Sequence, residues 1–161
     1  MSRVQLALNV SNLDEAVAFY SKLFGAEVNK RKPGYANFAI ESPPLKLVLI
    51  EGEGGGTLNH LGVEVETAEE VVAAEGRLSA DGLATTGVDD TTCCYALKTE
   101  TWVNDPDGAP WEWYVKTGDA EQMTNSVRAD EENAQCCAPT PTPTPNNEPV
   151  ATGTGAVSGC C

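Results

Sequence analysis

Residues 5–23 read QLALNVSNLDEAVAFYSKL, and residues 60–78 read HLGVEVETAEEVVAAEGRL. Aligned without a gap at an offset of 55 (residue 5 on residue 60), apolar residues fall on apolar residues and acids fall on acids. Each copy has the pattern of a strand followed by a helix. A repeated strand and helix predicts a duplicated unit, in which Gln5 and His60 occupy equivalent places at a shared pseudo-twofold axis. Such an axis is a natural place for a metal ion.

The length and composition indicate one soluble globular domain. The chain has 161 residues and is 41% hydrophobic, which is sufficient for a real core. No apolar run approaches the ~18 residues that span a bilayer, and the first residues lack the pattern of a signal peptide, so we expect a cytoplasmic protein. The net charge of −14 argues against nucleic acid or an anionic membrane as partner, since both bind cationic surfaces. A small-molecule or metal role fits better.

The composition changes sharply after about Gly118. From there on the chain has one basic residue against six acidic ones, no aromatic residue and the run APTPTPTPNNEP. We therefore predict a folded domain over residues 1–117, with modules at about 4–52 and 58–117. Residues 118–161 are predicted to be a disordered, acidic, Pro/Thr-rich tail with cysteine pairs.

The two modules show the same order of elements. In the first, a strand leads into a helix that Asn12 caps and Gly25 ends, followed by strand candidates at 26–31, 35–41 and 45–51. In the second, Thr67 caps a helix over 68–80, and strand candidates follow at 85–88, 96–104 and 111–116. The predicted class is α+β, with two tandem βαβββ modules.

All six cysteines occur as adjacent pairs, at 93–94, 136–137 and 160–161. Neighbouring cysteines seldom bridge each other, and thiols stay reduced in a cytosol, so this is not a disulfide framework. Cys93 and Cys94 lie in TTCCY, within extra length that the second module has over the first. The pair can chelate a soft, thiophilic centre, with trivalent arsenic the leading candidate. The alternatives are a buried apolar pair or chance.

The tail carries the other two cysteine pairs. Cys136 and Cys137, like Cys160 and Cys161, could pass a captured ion inward or merely scavenge it. A terminal Cys-Cys also resembles a prenylation signal, but the surrounding tail is acidic rather than polybasic.

Two such modules, a Gln or His on each first strand, and a DPDG turn followed by WEWY resemble the vicinal oxygen chelate superfamily of glyoxalases, extradiol dioxygenases and antibiotic-resistance proteins. The resemblance covers about residues 4–117. It implies that the modules form a cupped mixed sheet around a metal site. The metal ligands would come from the first and last strands of the modules, at Gln5, Lys46, His60 and Glu112. Protonated Lys46 cannot bind a metal. The remaining imidazole, carboxylate and amide oxygen are close to the facial triad that holds ferrous iron with open positions.

Two of the three candidate ligands have a plainer interpretation. His60 could be a buried, hydrogen-bonded residue at a strand start, without a metal. Glu112 could face solvent on an alternating strand, although that would turn Trp111 and Trp113 into the cup. The repeat favours the metal interpretation for both.

The TTCCY loop, the HLGVEV strand and the DPDGAPWEWYVK ending are similar to the carbon-arsenic lyases of this superfamily. That resemblance implies an Fe(2+)-dependent dioxygenase that cleaves trivalent methyl or aromatic arsenicals to arsenite, with dioxygen as co-substrate. Cys93 and Cys94 would hold the arsenic, and Gln5, His60 and Glu112 the iron.

Two rival functions and one question of assembly stay open. The same fold and cysteines suit a cadmium- or arsenite-sequestering protein without turnover. A glyoxalase or thiol transferase would instead use a divalent metal to polarise its substrate. The modules can pair within one chain or between swapped chains of a homodimer.

Overall fold

A computed structural model describes residues 2–123 of the chain. Its first module consists of β1 (Arg3–Val10), α1 (Leu13–Phe24), β2 (Lys30–Lys32), β3 (Tyr35–Ile40) and β4 (Leu45–Glu51). Its second consists of β5 (Thr57–Glu64), α2 (Ala68–Ala80), β6 (Asp89–Cys93), β7 (Ala96–Asn104) and β8 (Pro110–Asp119). The order βαβββ therefore occurs twice, as predicted.

The helices begin where the capping residues predict. The Asn12 side chain accepts a hydrogen bond from the Glu15 amide at 3.1 Å, and Gly25 ends α1 in the left-handed conformation. A complete capping box between Thr67 and Glu70 starts α2. These caps satisfy amides that the first turn of a helix leaves without partners.

One mixed, curled sheet of eight strands joins the modules in the order β2-β3-β4-β1-β5-β8-β7-β6. The central strands β1 and β5 pair antiparallel, while β4 runs parallel to β1 and β8 runs parallel to β5. The α+β class with two tandem modules is confirmed. The strands that begin and end each module thus lie side by side at the centre of the sheet.

Both helices pack on the outer face of the sheet. Helix α1 lies against β3 and β4, and α2 against β7 and β8. Leu13 of α1 is buried in a cluster with Phe38 and Leu47, and Val71 of α2 with Val115. Because side chains alternate along a strand, the intervening positions face the inside of the curve. That inner face holds most of the buried polar side chains.

The sequence interpretation was wrong around the sixth strand. The predicted strand at 85–88 does not form; Thr85 makes a single bridge to Val103, and Gly87 adopts a φ of 77°. The strand begins at Asp89 instead, and the TTCCY segment is part of a hairpin rather than an irregular loop. Strand β2 is also shorter than predicted, at Lys30–Lys32.

The last strand extends to Asp119, and the residues after it return to the hairpin. Amides of Cys94 and Tyr95 donate to the carbonyls of Met123 and Gln122 at 2.9 and 3.0 Å. The predicted tail with Cys136, Cys137, Cys160 and Cys161 lies otherwise outside the described residues. Within residues 2–123, neither helix has the length and apolar character needed to cross a membrane.

Candidate metal centre and the adjoining sulfur pair

The three side chains predicted as metal ligands meet at one point on the inner face of the sheet. Gln5 Nε2 lies 2.9 Å from His60 Nε2 and 2.9 Å from Glu112 Oε2. His60 Nε2 and Glu112 Oε2 are 3.6 Å apart. All three residues are buried, with exposed fractions of 1–2%. Glu112 therefore does not face solvent.

The strand order explains why these residues meet. Gln5 is on β1, His60 on β5 and Glu112 on β8, and these are three adjacent strands. Gly62 lies opposite both Gln5 and Glu112 in the two strand pairs. A Cβ at Gly62 would lie 2.9 Å from the Glu112 carbonyl oxygen and 3.4 Å from Gln5 Nε2. The absent side chain leaves the space in which the glutamine and glutamate approach each other.

The hydrogen bonds of His60 define its tautomer, that is, which ring nitrogen carries the proton. The nitrogen without a proton faces Gln5 and Glu112. Nδ1 lies 2.7 Å from the Asn59 carboxamide oxygen, an acceptor, so Nδ1 carries the proton. Nε2 then directs its lone pair toward Gln5 and Glu112. Burial, with a further contribution from the charge of Lys98, lowers the pKa of His60 to about 3. A neutral imidazole with its second nitrogen anchored is the form that binds metals.

The two oxygens of Glu112 have different surroundings. Oε1 accepts from the Lys98 ammonium, while Oε2 faces Gln5 and His60. Gln5 is held from the other side, because the Tyr114 hydroxyl donates to Gln5 Oε1 at 2.5 Å. Lys98 thus compensates the charge of the carboxylate and leaves one oxygen directed at the cluster.

This donor set fits a divalent cation. A lone pair of His60 and an anionic oxygen of Glu112 point at the same place, where the amide group of Gln5 offers both of them a donor. A rotation of the carboxamide that exchanges its oxygen and nitrogen would present a third ligand. No group of three His, Cys, Asp or Glu side chains within residues 2–123 has the geometry of a metal site, so the amide is needed to complete a set of three. Nitrogen and oxygen ligands suit iron, manganese and zinc.

Lys46 does not join this cluster. Its ammonium donates to Glu64 Oε1 at 2.9 Å and lies 5.1 Å from the centre of the Tyr114 ring. Burial lowers the pKa of Lys46, and the carboxylate of Glu64 opposes that shift. Lys46 is the residue of the first module that corresponds to Glu112 of the second. It therefore lies in a different part of the cup from the three candidate ligands.

The sulfur pair lies at a strained turn beside the cluster. Cys93 ends β6, and Cys94 and Tyr95 form the two-residue turn to β7 with φ values of 55° and 59°. Such values are unusual for residues other than glycine and favour the type I′ hairpin. The two sulfurs are 3.2 Å apart. Cys94 is disulfide-bonded, so the prediction that the cysteines form no disulfide is wrong at this residue.

Trp102 connects the sulfur pair with the candidate metal centre. Cys93, Cys94 and Trp102 are buried in one hydrophobic cluster, with exposed fractions of 0%, 6% and 5%. The His60 ring meets the Trp102 ring edge to face, with 5.4 Å between centroids. The sulfur pair and the His60 imidazole are therefore linked through the buried cluster that contains this indole.

Sequence reasoning missed several residues of this site. Lys98 and Glu100 face the cup from β7, and the Lys98 ammonium lies 3.8 Å from Glu100 Oε2. Burial, followed by the charge of Glu112, raises the pKa of Glu100 to about 7. Alternation in ALKTETWVN places Lys98, Glu100 and Trp102 on one face, and that period-two signal could have found them.

A cup built from two βαβββ modules, with candidate ligands on its first and last strands, defines a protein of the vicinal oxygen chelate class. The family model for the Glyoxalase/Bleomycin resistance protein/Dioxygenase superfamily matches residues 3–113. The chain belongs to that superfamily.

Two similar proteins carry different names. The chain is 54% identical to a trivalent organoarsenical cleaving enzyme of Thermomonospora curvata over 141 residues, which is 86% of this chain and 90% of the relative. It is also 54% identical to the cadmium-induced protein CadI of Mycobacterium bovis, over 85% of this chain and 93% of the relative.

A solved structure shares the fold. The Mn(II)-bound glyoxalase of Novosphingobium aromaticivorans aligns with a TM-score of 0.54 at 17% identity. The alignment covers 77% of this chain and 44% of that one. At this identity the likeness shows the fold alone.

Proposed function

We propose that this protein is a ferrous-iron-dependent dioxygenase that cleaves the carbon-arsenic bond of trivalent organoarsenicals. The observation that carries the proposal is that a vicinal sulfur pair shares a buried cluster with Trp102, whose ring meets His60 of the His-Glu-Gln set. The name of the Thermomonospora curvata relative, 54% identical, supports the substrate class.

Cys93 and Cys94 would hold the arsenic. Their sulfurs, 3.2 Å apart, are close enough for one arsenic atom to bond both. Cys94 is disulfide-bonded in the structure, so the step requires the reduced protein. Methylarsonous acid carries two hydroxyl groups on arsenic, and in the reduced protein each can leave as water with the proton of one thiol. Two arsenic-sulfur bonds form, two arsenic-oxygen bonds break, and no atom changes oxidation state. The turn would thereby fix the substrate and raise its effective concentration at the cup.

Gln5, His60 and Glu112 would hold the metal. A ferrous ion at this site would supply the binding and activation of dioxygen. Asn59 keeps the His60 tautomer in which Nε2 is a ligand, and Lys98 holds the second oxygen of Glu112. A facial set of three protein ligands leaves positions open for small molecules.

The overall reaction balances without an external reductant. One methylarsonous acid and one dioxygen contain the atoms of one arsenous acid and one formaldehyde. The methyl carbon gives four electrons to dioxygen, and arsenic remains trivalent. The buried cup would exclude bulk water from this step, since all three candidate ligands are at most 2% exposed.

The direct test supplies reduced protein with ferrous iron under anaerobic conditions, then adds trivalent methylarsenical and air-saturated buffer. Arsenite measured by speciation should appear with formaldehyde at a one-to-one ratio and with equal consumption of dioxygen. Manganese, nickel and zinc serve as metal controls. Absence of arsenite from the iron-loaded enzyme would reject the proposal.

Variants separate the roles of the two parts of the site. Cys93→Ser or Cys94→Ser should abolish arsenite production and leave iron stoichiometry unchanged. His60→Ala should lose iron and still bind the arsenical. Unchanged turnover in either serine variant would mean that the sulfur pair does not hold the substrate.

A second candidate is a non-catalytic protein that sequesters cadmium or arsenite. The equal identity to the cadmium-induced protein of Mycobacterium bovis favours it, because a sulfur pair also binds soft ions. Stoichiometric cadmium binding, lost in Cys93→Ser, together with no oxygen consumption in the presence of any arsenical, would support this function over the dioxygenase.

A further inference from the structure

A cavity of about 110 Å³ beside the sulfur pair is surrounded by positive charge. Cys94 lines it together with four cationic side chains, those of Arg3, Lys30, Lys46 and Lys116. The whole chain has only ten Lys and Arg residues against 24 Asp and Glu. Four of ten cations thus meet at one small cavity of a strongly acidic protein.

Among the described residues, the acids at this cavity are too few to neutralise the cations. Glu64 accepts from Arg3 Nε at 2.5 Å through Oε2 and from Lys46 Nζ at 2.9 Å through Oε1. It is the one carboxylate that lines the cavity within the described residues. Each oxygen of Glu64 is therefore already engaged with a separate cation.

The other two cations also share one carboxylate. Lys30 and Lys116 both approach Oδ1 of Asp119, the latter at 2.9 Å. The Asp119 side chain is 65% exposed, so water screens its charge. The Lys30 side chain is only 19% exposed. Within residues 2–123, two carboxylates for four cations leave a surplus of two positive charges at the wall of the cavity.

We infer that this cavity is an anion subsite, which selects organoarsenicals whose organic group carries a carboxylate. The inference rests on the proposed function, because Cys94 would hold the arsenic in the reduced protein and Cys94 itself lines the cavity. A substituent on the bound arsenic would enter the cavity directly. There it would meet ammonium and guanidinium groups that lack a full complement of acids.

The volume limits what the subsite can hold. An apolar cavity of about 150 Å³ accepts benzene. At about 110 Å³ this cavity is smaller, and Asn29, Asn37 and Tyr35 add polar groups to its wall. It would receive the anionic group of an arylarsenical, with the ring remaining nearer to the sulfur pair.

The test compares two arsenicals of matched shape and different charge. Full-length protein, reduced and metal-free, is titrated with 4-carboxyphenylarsonous acid and with its neutral carboxamide analogue, and heats of binding give both dissociation constants. We expect the carboxylate to bind about tenfold more tightly. Raising the salt concentration from low to ~0.5 M should reduce this preference, since the charges are partly exposed.

A variant and a matched control locate the effect. Lys116→Gln should reduce the preference for the carboxylate several-fold. Lys22→Gln removes an equal charge from the exposed end of α1 and should leave the preference unchanged. If Lys116→Gln does not fold, the salt series on the unaltered protein still tests whether charge causes the preference for the carboxylate.

The outcomes distinguish this inference from the function on which it rests. Equal affinity for the two arsenicals in the unaltered protein would overturn the anion subsite and leave thiol capture intact. A carboxylate preference that Lys116→Gln does not change would also overturn it. If neither arsenical binds the reduced protein, thiol capture itself fails, and the subsite with it.

Discussion

Gln5 Nε2 lies 2.9 Å from His60 Nε2, although the two residues open different modules of the chain. The contact places equivalent residues of a repeated strand at the centre of the sheet. For Gln5 to bind a metal its carboxamide must turn, so that Oε1 replaces Nε2 beside His60. Tyr114 permits the turn because its hydroxyl can accept a hydrogen bond as well as donate one.

The first prediction concerns the charge of this ligand. Gln5→Leu removes the oxygen and should weaken ferrous iron binding by at least about tenfold. Gln5→Glu should keep iron binding, but its metal-free form should unfold at a lower temperature, because a carboxylate would replace the amide 2.9 Å from Glu112. Iron titration and thermal unfolding with and without metal test both. Normal iron affinity in Gln5→Leu would contradict the ligand assignment.

The second prediction concerns the orientation of His60. Asn59→Ala removes the acceptor that lies 2.7 Å from Nδ1 and should lower iron affinity about 10- to 100-fold, with His60 still present. Asn104→Ala, at the exposed end of β7, is the matched control. Iron titration of the two variants measures the difference, and equal affinities would show that Asn59 does not position the ring.

The third prediction concerns the space at Gly62. In Gly62→Ala the new Cβ would lie 2.9 Å from the Glu112 carbonyl oxygen, a contact that backbone cannot accommodate without moving. We expect a loss of about 1–3 kcal/mol in the free energy of unfolding and weaker iron binding. Gly76→Ala has open space at its Cβ and should be neutral or stabilising. Chemical denaturation with iron titration compares the two.

The repeat made the centre of the fold predictable. A strand and a helix used twice imply two equivalent first strands, and pairing of β1 with β5 follows from their symmetry. The sequence alone therefore predicts that Gln5 and His60 lie close together. Glu112 followed from the resemblance, which implies a ligand on the last strand of the second module, and its neighbours Trp111 and Trp113 argued against a solvent-facing glutamate.

Other parts of the site carry no comparable signal. The turn at Cys94 and Tyr95 has two positive φ values, yet it lacks the Asn-Gly pattern that predicts a type I′ hairpin. The pattern predicts the strand before this turn at 85–88, whereas the strand begins at Asp89. The period of a pattern does not define where pairing starts, because that depends on the partner strand. The pairing of Lys98 with Glu112 likewise depends on the register between β7 and β8.

The fourth prediction concerns pH and the Glu64 carboxylate. Burial alone would raise the pKa of Glu64, but Lys46 and Arg3 outweigh burial and lower it below its ordinary value. Tyr114 and Lys116, on β8, also belong to its surroundings. A carboxylate with a lowered pKa in the folded state stabilises the protein above its unfolded pKa of ~4.3, and this contribution disappears as the pH falls through the folded value.

Glu64→Gln should therefore lower the free energy of unfolding most at neutral pH, and the difference from the unaltered protein should shrink as the pH falls below about 4.3. Denaturant unfolding of both proteins between pH 7 and the acid transition measures this difference. Glu53→Gln, in an exposed loop, controls for the loss of one negative charge. A difference that stays constant or grows toward acid would contradict the lowered pKa. Because Glu64 also neutralises Arg3 and Lys46, the same variant should strengthen carboxylate binding in the cavity beside Cys94.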